Sequence, residues 1–229
     1  MARAVEGGSL LSWLSFFFKR RSGQSEVFSV ILIMAVLISL VAAAYFWGIP
    51  LVNKRAAIGT YTLASGFVTQ LNDKVIKISN SGSGTETIDI PSGSVKVVPY
   101  GATDPDNNSI ILFFEADQPL ALNSSVVYIG ATSYTDTGSE IGTYREAQPS
   151  VITLTSSQSG TGYVVKVKIH YRELDTTTTP PKGYKIAVDS TKATGSSRVR
   201  LTYGTTEVTP GGAGNGGDLV LTRVNVEVV

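Results

Sequence analysis

The chain contains no cysteine. Disulfide staples, thiol nucleophiles and cysteine-ligated metal are therefore excluded, while the compartment stays open, because many exported proteins carry no bridges. Histidine occurs once, as His170. A zinc site or a catalytic triad needs more parts than one imidazole without a thiol. Charge is scarce as well: Asp, Glu, Lys and Arg make up 16% of the residues and the formal net charge is +1. No basic field is present to gather phosphates, which excludes nucleic acid as a partner.

The loops lack the marks of chemistry in the same way. The glycine-rich residues 210–217 are not followed by Gly-Lys-Ser/Thr and a helix, so they form no phosphate cradle. Together with the Thr-Pro run at 176–181 they read as flexible or extended connectors. Asp104, Asp106 and Asn108 place oxygens at alternate positions, with Glu115 at the twelfth place of a calcium-loop pattern. The sixth place is Ser109 instead of Gly and residues 110–114 look like a strand, so a turn is the reading and no metal is assigned. No spacing brings two carboxylates together. The expectation is a non-enzymatic chain with no catalytic residue and no cofactor.

What the chain does have is a long stretch, residues 24–78, that reads as a single helix with two jobs. Residues 27–47 carry no charge, and about 20 apolar residues are enough to cross a bilayer core at 1.5 Å rise per residue. A helix apolar on every side needs lipid or copies of itself around it. Ser39, Ala42, Ala43, Ala44 and Gly48 are small enough to let such helices approach closely. After Pro50, where a kink or a locally melted turn is expected, the pattern becomes amphipathic. Ala57, Tyr61, Ala64, Val68, Leu71, Val75 and Ile78 recur at steps of four and three and make one stripe, with Lys54, Arg55, Asn72, Asp73, Lys74 and Lys77 off it. The stripe needs a cover, and the β-rich chain that follows is the nearest candidate.

Residues 1–23 look like a targeting leader. The apolar residues 10–18 are too few to span and end in Lys19-Arg20-Arg21, so they suit the membrane surface. That basic cluster with Arg3 outweighs Lys54 and Arg55, which puts the N-terminus in the cytoplasm and the bulk of the chain outside.

Arg20-Arg21-Ser22-Gly23-Gln24-Ser25-Glu26-Val27, followed at once by the hydrophobic run, resembles the class III signal of archaeal type IV pilins and archaellin-like proteins. The resemblance covers residues 19–50 in motif and the whole chain in layout. It implies cleavage between Gly23 and Gln24 by a prepilin-peptidase-like membrane protease, then insertion by membrane assembly machinery into a homopolymer built on the N-terminal helices. Adhesion is the activity it implies. Glu26 becomes the third residue of the processed chain, and a carboxylate so near an apolar span needs a partner. The free amine of a neighbouring Gln24 is one, and water at the membrane surface is the other.

From residue 80 the texture changes. Asn80-Ser-Gly-Ser-Gly84 is a helix stop. Short β-type runs follow at 87–90, 95–99, 110–115, 126–133, 151–156, 163–171, 185–188, 198–203 and 219–228, which argue for an antiparallel sandwich or barrel. Val165, Val167, Ile169 and Tyr171 should face the core, with Lys166, Lys168, His170 and Arg172 outward. Val220, Val224, Val226 and Val228 should point inward in the last strand. Residues 110–114 have no polar face and should form a central strand, with the helix stripe as the favoured cover of its second side. Two glycosylation sequons begin at Asn107 and Asn123, both in expected turns.

The expected fold is therefore α+β, a long N-terminal hydrophobic α-helix followed by an antiparallel β-sandwich head. The expected parts are a leader at 1–23, a helix at 24–79 with a membrane-spanning or filament-core half at 27–49 and an amphipathic half at 51–78, and an extracellular head at 80–229. The expected function is a structural subunit of an archaeal type IV pilus-like filament, held in the cell membrane as a precursor. The alternative is a single-pass anchored binding module of the envelope that contacts a motility machine or a surface layer.

Overall fold

The structure is a computed structural model that describes residues 22–121, 125–130 and 140–229, with side chains from residue 25 onward. Its order is one helix and then strands: α1 (Ser22–Ser81), β1 (Thr85–Asp89), β2 (Ser94–Val98), β3 (Ser109–Ala116), β4 (Val127–Tyr128), β5 (Ile141–Thr143), β6 (Ser150–Ser159), β7 (Gly162–Tyr171), β8 (Glu173–Asp175), β9 (Lys182–Asp189), β10 (Thr194–Gly195), β11 (Arg198–Thr209) and β12 (Asp218–Val228). The chain divides into two compact units between Val52 and Asn53. The amphipathic half of α1 thus belongs to the same unit as the strands.

Helical residues run through Pro50 without interruption, so the melted turn expected there does not form. A proline inside a helix removes one hydrogen bond and costs about 3 kcal/mol. The hydroxyls of Ser39, Thr60 and Thr62 bond back to the carbonyls four residues earlier, at 2.8, 3.1 and 2.9 Å, and so are satisfied within the helix. The helix stops where Gly82 takes φ 66° and the Ser81 hydroxyl donates to the Ile78 carbonyl.

In the second unit the stripe is the floor on which the head is built. Ala64, Val68, Leu71, Val75 and Ile78 are buried, and Tyr61 packs half-buried against the same core. Phe67 and Asn72 are buried beside them, so Asn72 is not off the stripe as its polarity suggested. Lys74 and Lys77 reach Glu86 of β1 at 3.1 and 2.9 Å and fix the outer border of this contact. Those two ammoniums, Lys77 first, hold the Glu86 carboxyl below its ordinary range.

The strands form two six-stranded sheets, β1-β11-β12-β9-β8-β5 and β10-β2-β3-β7-β6-β4. The inner faces of both sheets and the helix stripe converge on one apolar core. The second sheet is antiparallel throughout. The first is mixed: β9 pairs with β12, and β5 with β8, in parallel. The expected all-antiparallel head is corrected in that respect, because the connection from β9 to β12 passes through the β10–β11 segment and returns the chain in the same direction.

The alternation of β7 is as the sequence predicts through Tyr171, with Val165, Val167, Ile169 and Tyr171 buried. Arg172 departs from it and is 2% exposed. The chain leaves the second sheet at Tyr171 and enters the first at Glu173, so Arg172 lies at the crossing, where its Nε donates to the Gln148 carbonyl at 2.9 Å. In β12, Val220 is half-exposed while Leu219 and Leu221 are buried. Both faces of that end of β12 are used, one by the core and the other beneath the glycine loop that carries buried Ala213.

Strand β3 is central, and its two faces are covered differently. Ile110, Leu112 and Phe114 share the core with the helix stripe. Ile111, fully buried on the opposite face, pairs across to Lys96 of β2 and Lys168 of β7. The loop at 104–108 closes over it: Asp104 accepts from Lys96 at 3.2 Å, and Asp106 accepts from Lys168 at 3.1 Å and also from Lys166. A loop, and not the helix, seals this second side.

At the end of the same loop, Asn108 is fully buried with φ 54°. Its Nδ2 donates to the Tyr171 carbonyl at 2.8 Å and to the Ile186 carbonyl at 2.9 Å, and its Oδ1 accepts from the Val188 amide at 2.9 Å. Strand β8 stops pairing with β9 at Lys185. The side-chain amide of Asn108 takes over as a substitute peptide for the next two bonds. Three buried bonds at about 1 kcal/mol each, plus the groups left unpaired, predict a loss of about 3–5 kcal/mol for Asn108→Gly. Glycine tolerates the same φ, so a denaturant titration of this variant isolates the amide; Asn108→Ala should lose about 1 kcal/mol more through backbone strain.

Candidate assembly surface and head cavities

The first unit presents an unbroken apolar surface. Among the described residues, the large side chains at positions 27–52 are exposed throughout, from Ile49 at 41% to Trp47 at 87%. One helix is long and apolar enough to cross a membrane, and none of its most apolar window is buried within the chain. Glu26 lies exposed at the start of this surface and has no partner among the described residues. The backbone at Gly23 and Gln24 is helical, within α1.

The sequons fall differently. Asn107 is exposed, its amide donating to the Asp104 carbonyl at 2.9 Å. The hydroxyl residue of that sequon, Ser109, is fully buried and bonded to the Asp106 carbonyl. Asn123 lies outside the described residues. The Asp104 and Asp106 carboxylates that imitate a calcium loop are taken up by lysines. For Asp106, partial burial alone would raise its pKa, but Lys166 and Lys168 hold it below the usual carboxylate range. His170 faces outward, with Nε2 3.1 Å from Glu140 Oε2. Among the described residues no three His, Asp or Glu side chains converge as a metal site.

The structure does bring two carboxylates together, which the sequence reading denied. Glu173 and Asp175 are two apart on β8 and so share one face. The glycine loop lies against them: Gly214 donates its amide to Glu173 Oε1 at 2.6 Å, and Asn215 Nδ2 reaches the Thr176 carbonyl at 3.3 Å. The loop is therefore a packed cover and not a flexible connector. Its glycines permit close approach, since a methyl group on Gly217 would collide with the Pro181 carbonyl. Burial, then the bond and charge of Glu173, push the Asp175 carboxyl up to about 6.

A cavity of about 490 Å³ opens on the other face of the same sheet. Leu174, Tyr184 and Val220 form one cross-strand row of its floor, and Ile186 and Thr222 form the next. Ile76, Ser79 and Asn80, from the last turns of α1, make one wall. Tyr144 and Arg145, just after β5, make the other. Tyr144 stacks on Tyr184 with ring centroids 4.6 Å apart, and the Arg145 guanidinium lies 5.7 Å from the Tyr144 centroid. Alternation along β8 and β9 sends Leu174 and Tyr184 to this face and Glu173 to the other, so the carboxylate pair and the cavity use opposite sides of one sheet. A smaller cavity of about 310 Å³ is lined by Asn53 and Thr60 of α1, by Glu115 and Ala116 at the end of β3 and by Asp117 just beyond it.

The architecture defines a class, an α+β chain with one long apolar helix ahead of a β-rich, two-sheet head. Beyond that class, comparison with known proteins returns no family model, no curated protein and no solved structure that matches the chain.

The raised pKa of Asp175 has a definite sign. A carboxyl that binds its proton more tightly in the folded state contributes most below its unfolded value near 3.8, and that contribution is lost as pH rises through about 6. Asp175→Asn keeps a donor toward Glu173 and removes the charge. Thermal unfolding at a series of pH values should show the variant more stable than the parent at pH above about 6 and no more stable near pH 4. An equal gain at both ends would mean that charge is not the cause.

Proposed function

We propose that the chain is the structural subunit of a type IV pilus-like surface filament of the archaeal kind, with the apolar half of α1 in the filament core and the β head outside. The observation that carries this reading is the apolar surface of residues 27–52, exposed all round the helix. Such a surface needs lipid before assembly and other copies of itself after it. The class III-like residues at 20–27 support the same reading, since they place a processing site immediately before that surface. In this account the prepilin-peptidase-like protease frees the Gln24 amine, which then has Glu26 of an adjacent subunit within reach as its counter-charge. The head serves adhesion, and Asn107 and Asn123 are its candidate sugar-bearing positions.

Two measurements test this. Intact mass and N-terminal sequencing of material sheared from expressing cells should give Gln24 as the first residue, in a fraction that pellets as filaments. An intact Met1 confined to the membrane fraction would instead favour an anchored envelope module. Glu26→Ala should cut filament yield by about tenfold or more while leaving head unfolding unchanged, as expected when a partly desolvated charge pair loses one member. Normal filaments from this variant would remove the proposed pairing.

A further inference from the structure

The larger cavity has a combination of features that selects a ligand. Among the described residues its lining includes Arg145 and Lys185 and no carboxylate. Lys185 follows Tyr184 on β9 and so points to the opposite face, its ammonium 5.3 Å from the Tyr100 centroid, which leaves Arg145 as the cation of the rim. Arg145 forms no ion pair among the described residues, and its backbone takes φ 71°, a left-handed conformation that a long side chain adopts at a cost. An arginine held in that conformation, stacked on a tyrosine and lacking a carboxylate partner is placed to meet an anion from outside the chain.

The opposite wall restricts which anion fits. Ser79 and Asn80 belong to the last turn of α1, where backbone carbonyls carry the partial negative end of the helix. That wall disfavours a compact, doubly charged ion and favours a ligand that brings hydroxyl donors. The floor supplies the third requirement: Leu174, Val220 and the Tyr184 ring suit a flat C–H-bearing surface, with the Thr222 hydroxyl beside them. We infer that the cavity binds a carboxylated saccharide unit, a uronic-acid-type sugar. Its carboxylate pairs with Arg145, its hydroxyls donate toward the α1 terminus, and its ring lies on the Tyr184 side of the aromatic stack.

This inference rests on the adhesive-head reading for its biological use, but its chemistry is tested without filaments. The full chain in detergent micelles is titrated calorimetrically with a tetrameric oligoglucuronate, the matching neutral oligoglucoside, and inorganic phosphate. The expected result is saturable binding of the oligoglucuronate about ten- to a hundredfold tighter than that of the neutral sugar, the range of one charge-assisted bond, with phosphate weaker still. Arg145→Gln should abolish the preference for the acidic sugar. Arg145→Gly should do the same without lowering the melting temperature, because relief of the left-handed backbone offsets the lost stack. No saturable binding, equal affinity for the neutral sugar, phosphate binding as tightly, or an unchanged preference in Arg145→Gln would each overturn the proposal. Binding by a chain that never forms filaments would sustain the site and sink the filament reading; filaments without binding would do the reverse.

Discussion

A single side-chain amide, that of Asn108, is bonded to both sheets at once, and the rest of the head depends on where it holds them. Its donors reach Tyr171 at the end of β7 and Ile186 in β9, and its acceptor takes the Val188 amide. Without it, the part of β9 beyond the end of β8 would bury backbone groups with no partners, which costs more than the net worth of the bonds themselves. The tie also sets the crossing. Tyr171 and Glu173 belong to different sheets, and only Arg172 separates them. Because β9 is fixed at Ile186 and Val188, Tyr184 is fixed two residues earlier, and with it the floor of the cavity. The conformation of one loop residue thus governs the register of a site in another sheet.

The helix solves a different problem, that of two apolar surfaces on one element. In residues 53–81 the apolar side chains make a stripe, and the two sheets cover it. In residues 27–52 they surround the helix and are exposed among the described residues. The distinction follows from the spacing of polar residues alone. Lys54, Arg55, Asp73 and Lys77 give the second half a wet side, whereas the first half has none. A head that covered the whole helix would leave no exposed apolar surface, and a helix with no stripe would leave the head without its floor. Pro50 lies near the change from one regime to the other without breaking the helix.

Much of the fold was legible because it rests on local periodicity. The helix, its stripe and eight of the nine β-type runs follow from spacing, and the positions expected on the core face of β7 are buried; the run at 126–133 is a strand only at Val127–Tyr128, and its residues 131–133 lie outside the described residues. The parts that were missed depend on partners distant in sequence. Asn108 reads as the middle residue of a sequon, and no local pattern says that its amide will replace a strand. The parallel pairing of β9 with β12 is a property of topology, invisible to alternation. Arg172 continues the polar phase of β7 on paper, but it is buried because the strand changes sheets there. Glu173 and Asp175 did carry a usable signal, since two carboxylates at i and i+2 share a face if the segment is a strand. The three-residue length of β8 hid it.

The same sheet separates two kinds of chemistry by alternation along its strands. On one face Glu173 and Asp175 crowd two like charges beneath the glycine loop, and the proton retained at mildly acidic pH relieves that crowding. On the other face Leu174 and Tyr184 floor a cavity whose lining, among the described residues, has cations and no acid. Were β8 to slip by one residue, the carboxylates would enter the cavity opposite Arg145 and quench it, while Leu174 would be turned beneath the loop. The loop bonds at Gly214 and Asn215 on one side, and the Asn108 tie on the other, oppose that slip from both ends of β9. Keeping Arg145 on one face and a carboxylate pair on the other, without letting them meet, is a constraint on register. It gives the closely packed glycines at 183, 214 and 217 a role in preserving the cavity that they do not line.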